Sequence, residues 1–468
     1  MTMRQRRVSR RRALQLGATA AGAMAVYQST PAAADARGGA GRARDQSFDE
    51  GWLFLRGDAT GAEQPSYDDR AWRVLDLPHD WSIEDLPYAT SDDGGATSYS
   101  SVLVPKEPDP AWPEAPQVIG PFDTRNSQNG GSTGYTVGGV GWYRKHFGTG
   151  EATGELGSHI ELRFDGVYQN ADVWLNGVHL GFHPHGYTSF AYDLTPYLDP
   201  SGTNVLAVRV DNSGKNSRWY SGSGIYRHTW LTVTGPVRIP LWGVHVTTPE
   251  VGGRRSVARV ETRVANLGER SASAYVRVTV LDARGRAVTT RRAPAQSVEP
   301  GETAVASLDL PVQDAALWSM DTPSLYTART EVLVGGRVVD TVTTTFGFRS
   351  LPWNGEVGFL LNGEPVEVMG GNVHHDHGPM GAVALGRSEE RRVEILKEAG
   401  FNSIRTAHNP PTPELLDACD RLGMLVMDEF FDMWDTGKNP DDYSVHFAEW
   451  WEKDCGAQSS ATATTPVW

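Results

Sequence analysis

At roughly 100–200 residues per domain, a chain of 468 residues is long enough for several domains. Its 51 glycines and 28 prolines favour turn-rich β structure over a disordered chain. A formal net charge of −14, with no basic stripe after the first segment, argues against a nucleic-acid partner because an acidic surface repels phosphate backbones. Only two cysteines are present, so we expect no disulfide framework.

The first segment of the chain is typical of an export signal. The stretch "SRRRALQLGATAAGAMAVYQSTPAAADA" contains paired arginines, a short apolar run and Ala34-Asp35-Ala36, a small-x-small cleavage pattern. The apolar run is shorter than the ~20 residues that cross a bilayer. We therefore expect a twin-arginine signal peptide at 1–36, a linker at 37–47, a secreted protein and no membrane partner. A basic, unstructured N-terminus is the alternative.

Two successive β regions follow. Residues 48–237 show short alternating strands separated by Gly, Asn and Asp turns, as in "ELRFDGVYQNADVWLNGVHLGF", where Ala171, Val173 and Leu175 alternate before an Asn-Gly turn. This pattern predicts a β-sandwich. Residues 238–348 repeat the alternation at the spacing of a second sandwich, of immunoglobulin type.

The pattern changes to alternating strands and helices at residue 349. The stretches "EPVEVMGGNVH", "FNSIRTAH" and "MLVMDEFF" read as strands, and two helices lie between them. We expect Ser388 to cap the first helix, and Thr412 to cap the second, which ends at Gly423. Strand–helix repetition at this spacing predicts a parallel sheet. Polar residues follow each strand, and in a (β/α)₈ barrel that end of the strands builds the active site.

The stretch "NSIRTAHNPPTPELLDACDRLGMLVMDE" closely resembles the signature of glycoside hydrolase family 2, the β-galactosidase, β-glucuronidase and β-mannosidase group. "GVGWYRKHF", "SRWYSGSGIYRHTWL" and "FGFR" occur in the order of that family. The resemblance covers about residues 48–454. It implies a jelly-roll, galactose-binding-like sugar-binding domain, an immunoglobulin-like β-sandwich and the start of a catalytic (β/α)₈ TIM barrel at 349–454.

The resemblance implies retaining hydrolysis of terminal β-linked sugars, which uses two carboxyl groups about 5–5.5 Å apart. In the family these are glutamates of the fourth and seventh barrel strands, and no Asn-Glu dipeptide occurs after Phe348. We therefore expect this chain to lack both catalytic glutamates and to be inactive. Three strands of an open barrel should also leave apolar faces and an unpaired edge exposed.

The last residues, 455–468, read as an aberrant tail. With a free choice of synonymous codons, a one-base shift turns "ATATTPVW" into RDRNHPSV, close to what the family shows before its acid/base strand. The reading predicts a frameshift between about Asp454 and Gln458. A genuine short C-terminus is the alternative.

The resemblance also implies roles for single residues. Arg405 is predicted to orient the nucleophile, because a guanidinium forks well onto a carboxylate. The predicted substrate-binding residues are His374, His408, Asn409, Glu429, Trp434, Arg218 and Trp219. A structural role is the alternative for each of them, and it is favoured for Tyr220 and Tyr226.

No metal or cofactor is expected. Some β-galactosidases of the family hold Mg²⁺ through a Glu-x-His pair after the third strand, which "FFDMWDTG" lacks. Asp432 or Asp435 would need further converging oxygens to bind a cation.

The function predicted from the sequence is hydrolysis of terminal, non-reducing β-D-galactosides. A secreted carbohydrate-binding protein without catalysis is the alternative from another class. Other family-2 specificities, β-glucuronidase or β-mannosidase, also stay open. The expected partner is a β-linked oligosaccharide or glycoside, and a homo-oligomer of the full-length protein is left open.

Overall fold

The structure, a computed structural model, describes residues 44–86, 118–148, 159–200 and 202–462. The predicted signal peptide at 1–36, residues 37–43 of the predicted linker and residues 463–468 of the predicted tail lie outside the described residues. Within the described ranges, no helix has both the length and the apolar character that crossing a bilayer requires.

The first domain is a β-sandwich whose two sheets have the strand orders β1-β12-β7-β10 and β3-β2-β6-β11-β8-β9. A separate two-stranded ribbon pairs β4 with β5. The strands are β1 Asp45–Ser47, β2 Trp52–Arg56, β3 Arg73–Leu75, β4 Val118–Ile119, β5 Phe122–Asp123, β6 Gly139–Gly148, β7 His159–Phe164, β8 Ala171–Leu175, β9 Val178–His183, β10 Phe190–Asp193, β11 Thr203–Asn212 and β12 Thr229–Thr234. Short 3₁₀ helices occupy Trp81–Ile83, Gly130–Thr133 and Thr195–Tyr197.

The predicted alternation in β8 is confirmed. Ala171, Val173 and Leu175 are fully buried between the two sheets, since successive side chains of a strand point to opposite faces. Asn176 and Gly177 then join β8 to β9 with φ angles of 53° and 81°. A two-residue hairpin turn with positive φ at both positions fits the right-handed twist of the strands, which is why Asn-Gly is favoured there.

The second domain is also a sandwich, as predicted, of a four-stranded and a five-stranded sheet around one valine-rich core. In the first sheet β15 pairs with β13, β14 and β19, and in the second β16 pairs with β17, β18 and β20 while β21 extends the edge. The strands are β13 Val237–Arg238, β14 Val244–Glu250, β15 Arg255–Asn266, β16 Ala272–Leu281, β17 Ala287–Arg292, β18 Gln296–Val298, β19 Thr303–Gln313, β20 Tyr326–Val334 and β21 Arg337–Phe346.

Two predicted boundaries are displaced by short edge strands. Asp45–Ser47 pairs with β12, so the first sandwich begins inside the predicted 37–47 linker. Val237–Arg238 pairs with β15 of the second sandwich, so the boundary predicted between 237 and 238 falls before this strand. Strands of two or three residues are too short to show an alternation, and their pairing partners lie far along the chain.

The third region contains the predicted strand–helix repetition. A small antiparallel sheet of β22–β24 precedes a parallel sheet of β25–β27, and helices α1 and α2 pack against that sheet around a core that includes Val393, Ile404 and Leu415. The elements are β22 Trp353–Asn354, β23 Gly358–Leu361, β24 Glu364–Pro365, β25 Gly370–Val373, a 3₁₀ helix at Gly378–Met380, α1 Gly386–Glu398, β26 Ser403–Thr406, α2 Pro413–Leu422, β27 Leu425–Met427 and α3 Ser444–Thr462.

The two helix caps predicted from the sequence have different outcomes. The Thr412 side chain accepts a hydrogen bond from the Leu415 amide, and Gly423 ends α2 with φ 73°, both as predicted. The prediction for Ser388 is wrong, because α1 begins at Gly386. The Ser388 hydroxyl donates to the Leu385 carbonyl at 2.7 Å, a back-bond that serine makes inside the first turn of a helix.

The parallel sheet leaves an apolar face open, as expected. A cleft of about 400 Å³ runs along β25–β27. Its lining includes Trp353, Val368 and Met427, whose exposed fractions are 75%, 58% and 63%.

Helix α3 crosses the boundary predicted at 454/455 without a break and continues to Thr462. Gln458, on the tail side of that boundary, is buried and its side-chain amide donates to the Asp428 carboxylate. Residues 455–462 are therefore part of the helix, and a change of structure does not mark the predicted start of the tail.

Candidate active site

The carboxyl ends of the parallel strands bring an arginine, a glutamate and a histidine together. Arg405, in β26, donates from Nε and Nη2 to Glu429 Oε1 at 2.8 and 2.5 Å. His408 Nδ1 lies 3.1 Å from Glu429 Oε2, and Arg405 Nη1 donates to Asn372 Oδ1 at 3.2 Å. Glu429 follows β27 and His408 follows β26, so the register of the parallel sheet places them side by side. We call Arg405, His408 and Glu429 the Arg405 cluster.

A second charged group joins the first sandwich to the strand ends. The guanidinium of Arg218 donates to both oxygens of Asp432, from Nε at 3.1 Å and from Nη2 at 2.6 Å. Lys438 Nζ donates to Asp432 Oδ1 at 2.7 Å and to its main-chain oxygen at 2.6 Å. The Asp432 side chain is only 2% exposed, whereas the side chains of Arg218 and Lys438 are each 42% exposed. We call these residues the Asp432 cluster.

Both clusters line one cavity of about 440 Å³, which we call the rim cavity. Its size falls in the range of about 300–1,000 Å³ that is usual for small-molecule sites. The lining residues are Arg218, Arg405, His408, Glu429, Phe431, Asp432, Trp434, Thr436 and Lys438. Trp434 is half-exposed and presents a flat apolar face to it. Guanidinium, imidazole, ammonium and carboxylate groups beside an aromatic ring can bind the hydroxyls and apolar faces of a sugar.

Five of the eight residues predicted from the sequence therefore line the rim cavity: Arg218, Arg405, His408, Glu429 and Trp434. The other three do not line it. The His374 ring packs at a tilt against the Trp219 ring, with 4.9 Å between the ring centroids, and its centroid lies 5.9 Å from that of His408. Asn409 is buried in the loop between β26 and α2. A direct role in sugar binding stays a prediction for the seven residues other than Arg405. The nucleophile-orienting role of Arg405 and the expectation of no metal or cofactor also stay predictions.

Burial acts on the ionisable groups around the rim. It lowers the pKa of His374, and the electrostatic interaction with the neighbouring imidazole of His408 lowers it further. Burial also raises the pKa of Asp428 to about 6, although hydrogen bonds from Gln458 and Thr406 lower the pKa by favouring the charged form. Burial raises the pKa of Asp432, but the hydrogen bonds from Arg218 and Lys438 outweigh this effect, so the pKa lies below its ordinary value. Asp432 is therefore ionised at neutral pH.

The loop of the first sandwich between β11 and β12 holds the rim from behind. Arg227 is 1% exposed and donates to four main-chain oxygens, those of Tyr187 at 2.7 Å, Pro410 at 2.8 Å, Pro411 at 3.2 Å and Asp165 at 3.4 Å. The two proline carbonyls belong to the loop that carries His408. One buried cation of the sandwich thus fixes the backbone of the β26–α2 loop.

Tyr220 and Tyr226 have the structural positions that the sequence favoured. Tyr226 is fully buried and donates from its hydroxyl to the Gly186 oxygen at 2.9 Å. The Tyr220 hydroxyl donates to the buried carboxylate of Asp80, which also accepts from the Ala382 amide at 2.9 Å.

Helix α3 is anchored to the first sandwich by a buried carboxylate. Asp454 accepts hydrogen bonds from Thr188 at 2.9 Å and from Tyr443, and its Oδ1 lies 2.9 Å from His183 Nε2. Burial raises the pKa of Asp454, but the hydrogen bond and charge of His183 outweigh it and bring the pKa to about 2. Helix α3 therefore contacts the first sandwich through Asp454, and it contacts the carboxyl ends of the parallel strands through Gln458.

Lys438 and the partner of Asp432 are not predicted from the sequence. Asp432 is a candidate ligand for a metal cation in the sequence, and in the structure it is paired with two cationic side chains, one of them 214 residues away in sequence. A basic residue six positions after an aspartate in "DMWDTGK" was the available signal for Lys438. Nothing in the sequence marks the pairing with Arg218.

Three family models match the chain in series. "Glycosyl hydrolases family 2, sugar binding domain" matches residues 131–236, "Glycosyl hydrolases family 2" matches 239–349, and "Glycosyl hydrolases family 2, TIM barrel domain" matches 355–435. The chain belongs to glycoside hydrolase family 2. The two sandwiches and the parallel α/β region are therefore its sugar-binding domain, its immunoglobulin-like domain and the start of its TIM barrel.

Relatives in the family carry two specificities. The β-galactosidase BoGH2A of Bacteroides ovatus is 43% identical over 408 residues, which are 87% of this chain and 43% of that protein. A protein of Formosa agariphila with the provisional name β-glucuronidase is 35% identical over 412 residues, 88% of this chain and 35% of its own length. The crystal structure of a family-2 member from Bacteroides cellulosilyticus matches with 39% identity and a TM-score of 0.81, over 91% of this chain and 51% of that one. The chain thus spans about half or less of the length of these relatives.

Proposed function

We propose that this polypeptide forms the sugar-binding part of the active site of a secreted, retaining exo-β-glycosidase, and that its substrates are terminal β-D-galactosides. The observation that carries the proposal is the 43% identity to a β-galactosidase over 87% of the chain. The rim cavity supports it, because four residues expected to contact sugar line one cavity of suitable size together with Arg405, which was expected to orient the nucleophile. In this proposal the Arg405 cluster binds the terminal galactosyl unit.

Double displacement at a glycosidic bond uses two carboxyl groups about 5–5.5 Å apart, one as nucleophile and one as general acid and base. Among the described residues, the rim cavity presents two carboxylates, Glu429 and Asp432. Glu429 is held by Arg405 and His408, and Asp432 by Arg218 and Lys438. A carboxylate paired with the fixed charge of an arginine or lysine is a poor proton donor, so neither residue can supply the general acid that double displacement requires. We therefore assign both a binding and positioning role, and we expect the 468-residue polypeptide to bind galactosides without turnover.

A comparison of binding with turnover tests the proposal. Purified 468-residue polypeptide is titrated with methyl β-D-galactopyranoside, methyl β-D-glucuronide and methyl β-D-mannopyranoside by calorimetry, and 4-nitrophenyl β-glycosides of the same sugars are assayed for hydrolysis. We expect the galactoside to bind at least about tenfold more tightly than the other two, a difference of about 1.4 kcal/mol. Arg405→Met should abolish this binding, because it removes two hydrogen bonds to Glu429.

Arg259→Met is the matched control. Arg259 is a surface arginine of the second sandwich that pairs with Asp309, and its loss should leave binding unchanged. Equal loss of binding in both variants, or no glycoside binding by the unmodified polypeptide, would refute the proposal. Measurable hydrolysis by the polypeptide would contradict the roles assigned to Glu429 and Asp432.

β-Glucuronide hydrolysis is the second candidate. It is favoured by the Formosa agariphila relative and by a solved structure, "Bacteroides uniformis beta-glucuronidase 2 covalently bound to cyclophellitol-6-carboxylate aziridine", which is 25% identical with a TM-score of 0.71. Preference for the glucuronide in the titration would establish it. A secreted carbohydrate-binding protein without catalysis is the remaining alternative, and any turnover of the 4-nitrophenyl glycosides would exclude it.

Secretion belongs to the same proposal. The paired arginines Arg10 and Arg11 should direct export, and a fusion of residues 1–47 to a reporter should reach the culture medium. Replacement of both arginines by lysine should retain the reporter in the cells.

A further inference from the structure

The two clusters that line the rim cavity differ in their charge balance. The Arg405 cluster contains one cationic side chain, Arg405, and one carboxylate, Glu429, beside His408. The Asp432 cluster contains two cations and a single carboxylate. The cavity therefore carries a local excess of one positive charge on a chain whose formal net charge is −14.

The excess charge is directed into the cavity. The carboxylate of the Asp432 cluster is 2% exposed, whereas its two cations are each 42% exposed and line the cavity. Asp432 therefore holds Arg218 and Lys438 from the protein side, while their outer faces stay open to a ligand. Trp434 lines the same cavity and is 51% exposed, so an aromatic or sugar ring can lie against it.

We propose that the Asp432 cluster is a subsite for an anionic group, a carboxylate or a sulfate ester, on the residue attached to the galactosyl unit. This inference rests on the proposed function, which assigns the galactosyl unit to the Arg405 cluster. An anion placed between Arg218 and Lys438 accepts charge-assisted hydrogen bonds from groups that are already oriented, so binding does not have to order two long side chains. The protein would then prefer acidic galactosides to neutral ones.

The test compares two ligand pairs by titration calorimetry on the 468-residue polypeptide at 50 mM salt. The first pair is phenyl β-D-galactopyranoside and 4-carboxyphenyl β-D-galactopyranoside, which differ in the group attached to the sugar. The second pair is methyl β-D-galactopyranoside and methyl β-D-glucuronide, which differ in the sugar itself. We expect the carboxyphenyl galactoside to bind about tenfold more tightly than the phenyl galactoside, the usual effect of a hydrogen bond to a charged group. We expect a similar preference for 4-(sulfooxy)phenyl β-D-galactopyranoside, which places a sulfate ester at the same position.

Lys438→Met removes the excess charge and should reduce the preference for the carboxyphenyl ligand to about twofold or less. Lys453→Met is the matched control, because Lys453 lies on the exposed side of α3 above the Trp450 ring and its loss changes the net charge of the protein equally. It should leave the tenfold preference intact. Raising the salt concentration to 0.5 M should weaken the preference in the unmodified protein, which tests the electrostatic origin without a variant.

The outcomes separate the two proposals. Tight binding of both phenyl ligands with no preference between them overturns the subsite and leaves the galactoside assignment standing. A preference for the methyl glucuronide over the methyl galactoside places the anion on the terminal sugar and overturns both proposals. An equal effect of the two lysine substitutions shows a general charge effect and overturns the subsite.

Discussion

Arg227 offers a direct way to ask whether the sugar-binding domain fixes the geometry of the rim. Its guanidinium is 1% exposed and all four of its hydrogen bonds go to main-chain oxygens. The acceptors Pro410 and Pro411 lie in the β26–α2 loop, two and three residues after His408. Arg227→Met keeps the apolar stem but leaves these buried oxygens without a donor.

The cost can be estimated from the geometry. The bonds to Tyr187 and Pro410, at 2.7 and 2.8 Å, are short, while those at 3.2 and 3.4 Å contribute less. A hydrogen bond to a charged donor contributes about 1.5–3 kcal/mol, and the methionine avoids the desolvation of a buried cation. We expect a net loss of about 3 kcal/mol, concentrated in the opening of the loop between β26 and α2.

Hydrogen–deuterium exchange with mass spectrometry measures that opening peptide by peptide. A loss of about 3 kcal/mol should speed exchange in peptides from 404–416 by about two orders of magnitude. Arg144→Met is the control, because Arg144 is equally buried but pairs with Asp69 inside the first sandwich. Unchanged exchange at 404–416 in the Arg227 variant, or equal acceleration there in the Arg144 variant, would show that Arg227 does not hold the β26–α2 loop.

Three further predictions follow from single residues. Asp454 has a pKa of about 2 in the folded protein, against an ordinary value of 3.8. Its contribution to stability is therefore complete above about pH 4 and is lost as the pH falls toward 2. Acid titration monitored by tryptophan fluorescence should show an unfolding transition in that window, and Asp454→Asn should remove it. A Cβ on Gly423 would lie 2.3 Å from the Met320 main-chain oxygen, and the φ of Gly423 is 73°. Gly423→Ala should therefore lower the free energy of unfolding, measured in urea, by more than about 1 kcal/mol. The loss should exceed that of Gly400→Ala, because Gly400 has a φ of 92° but no atom within 4 Å of its added Cβ. Trp434→Ala should lower galactoside affinity about fivefold in calorimetry and change the free energy of unfolding by less than about 1 kcal/mol, since its side chain is half-exposed; unchanged affinity would exclude stacking on this ring.

The sequence predicts features whose chemistry is local. Thr412 and Gly423 bound α2 because a cap depends on residues within one turn of the helix end. The grouping of Arg405, His408 and Glu429 was also predictable, since the carboxyl ends of neighbouring parallel strands lie at one edge of a sheet. In each case the partners are set by spacing along the chain or by a rule of the fold.

Features that depend on packing between domains were not predictable in this way. Arg218 and Asp432 are 214 residues apart, and Arg227 binds main-chain oxygens that have no sequence signature. The composition of residues 455–462 indicated a tail, yet these residues continue α3, where Gln458 is buried and donates to Asp428. The orientation of the three domains decides these contacts, and the hydrophobic periodicity of a single sequence does not encode that orientation.

Binding of the terminal galactosyl unit by the Arg405 cluster can be observed in a ¹H–¹⁵N spectrum of the histidine side chains during titration with methyl β-D-galactopyranoside. We expect the imidazole signals of His408 to shift with saturation, while those of His245, in strand β14 of the second sandwich, stay fixed. A saturable titration that leaves the His408 signals unmoved would contradict it.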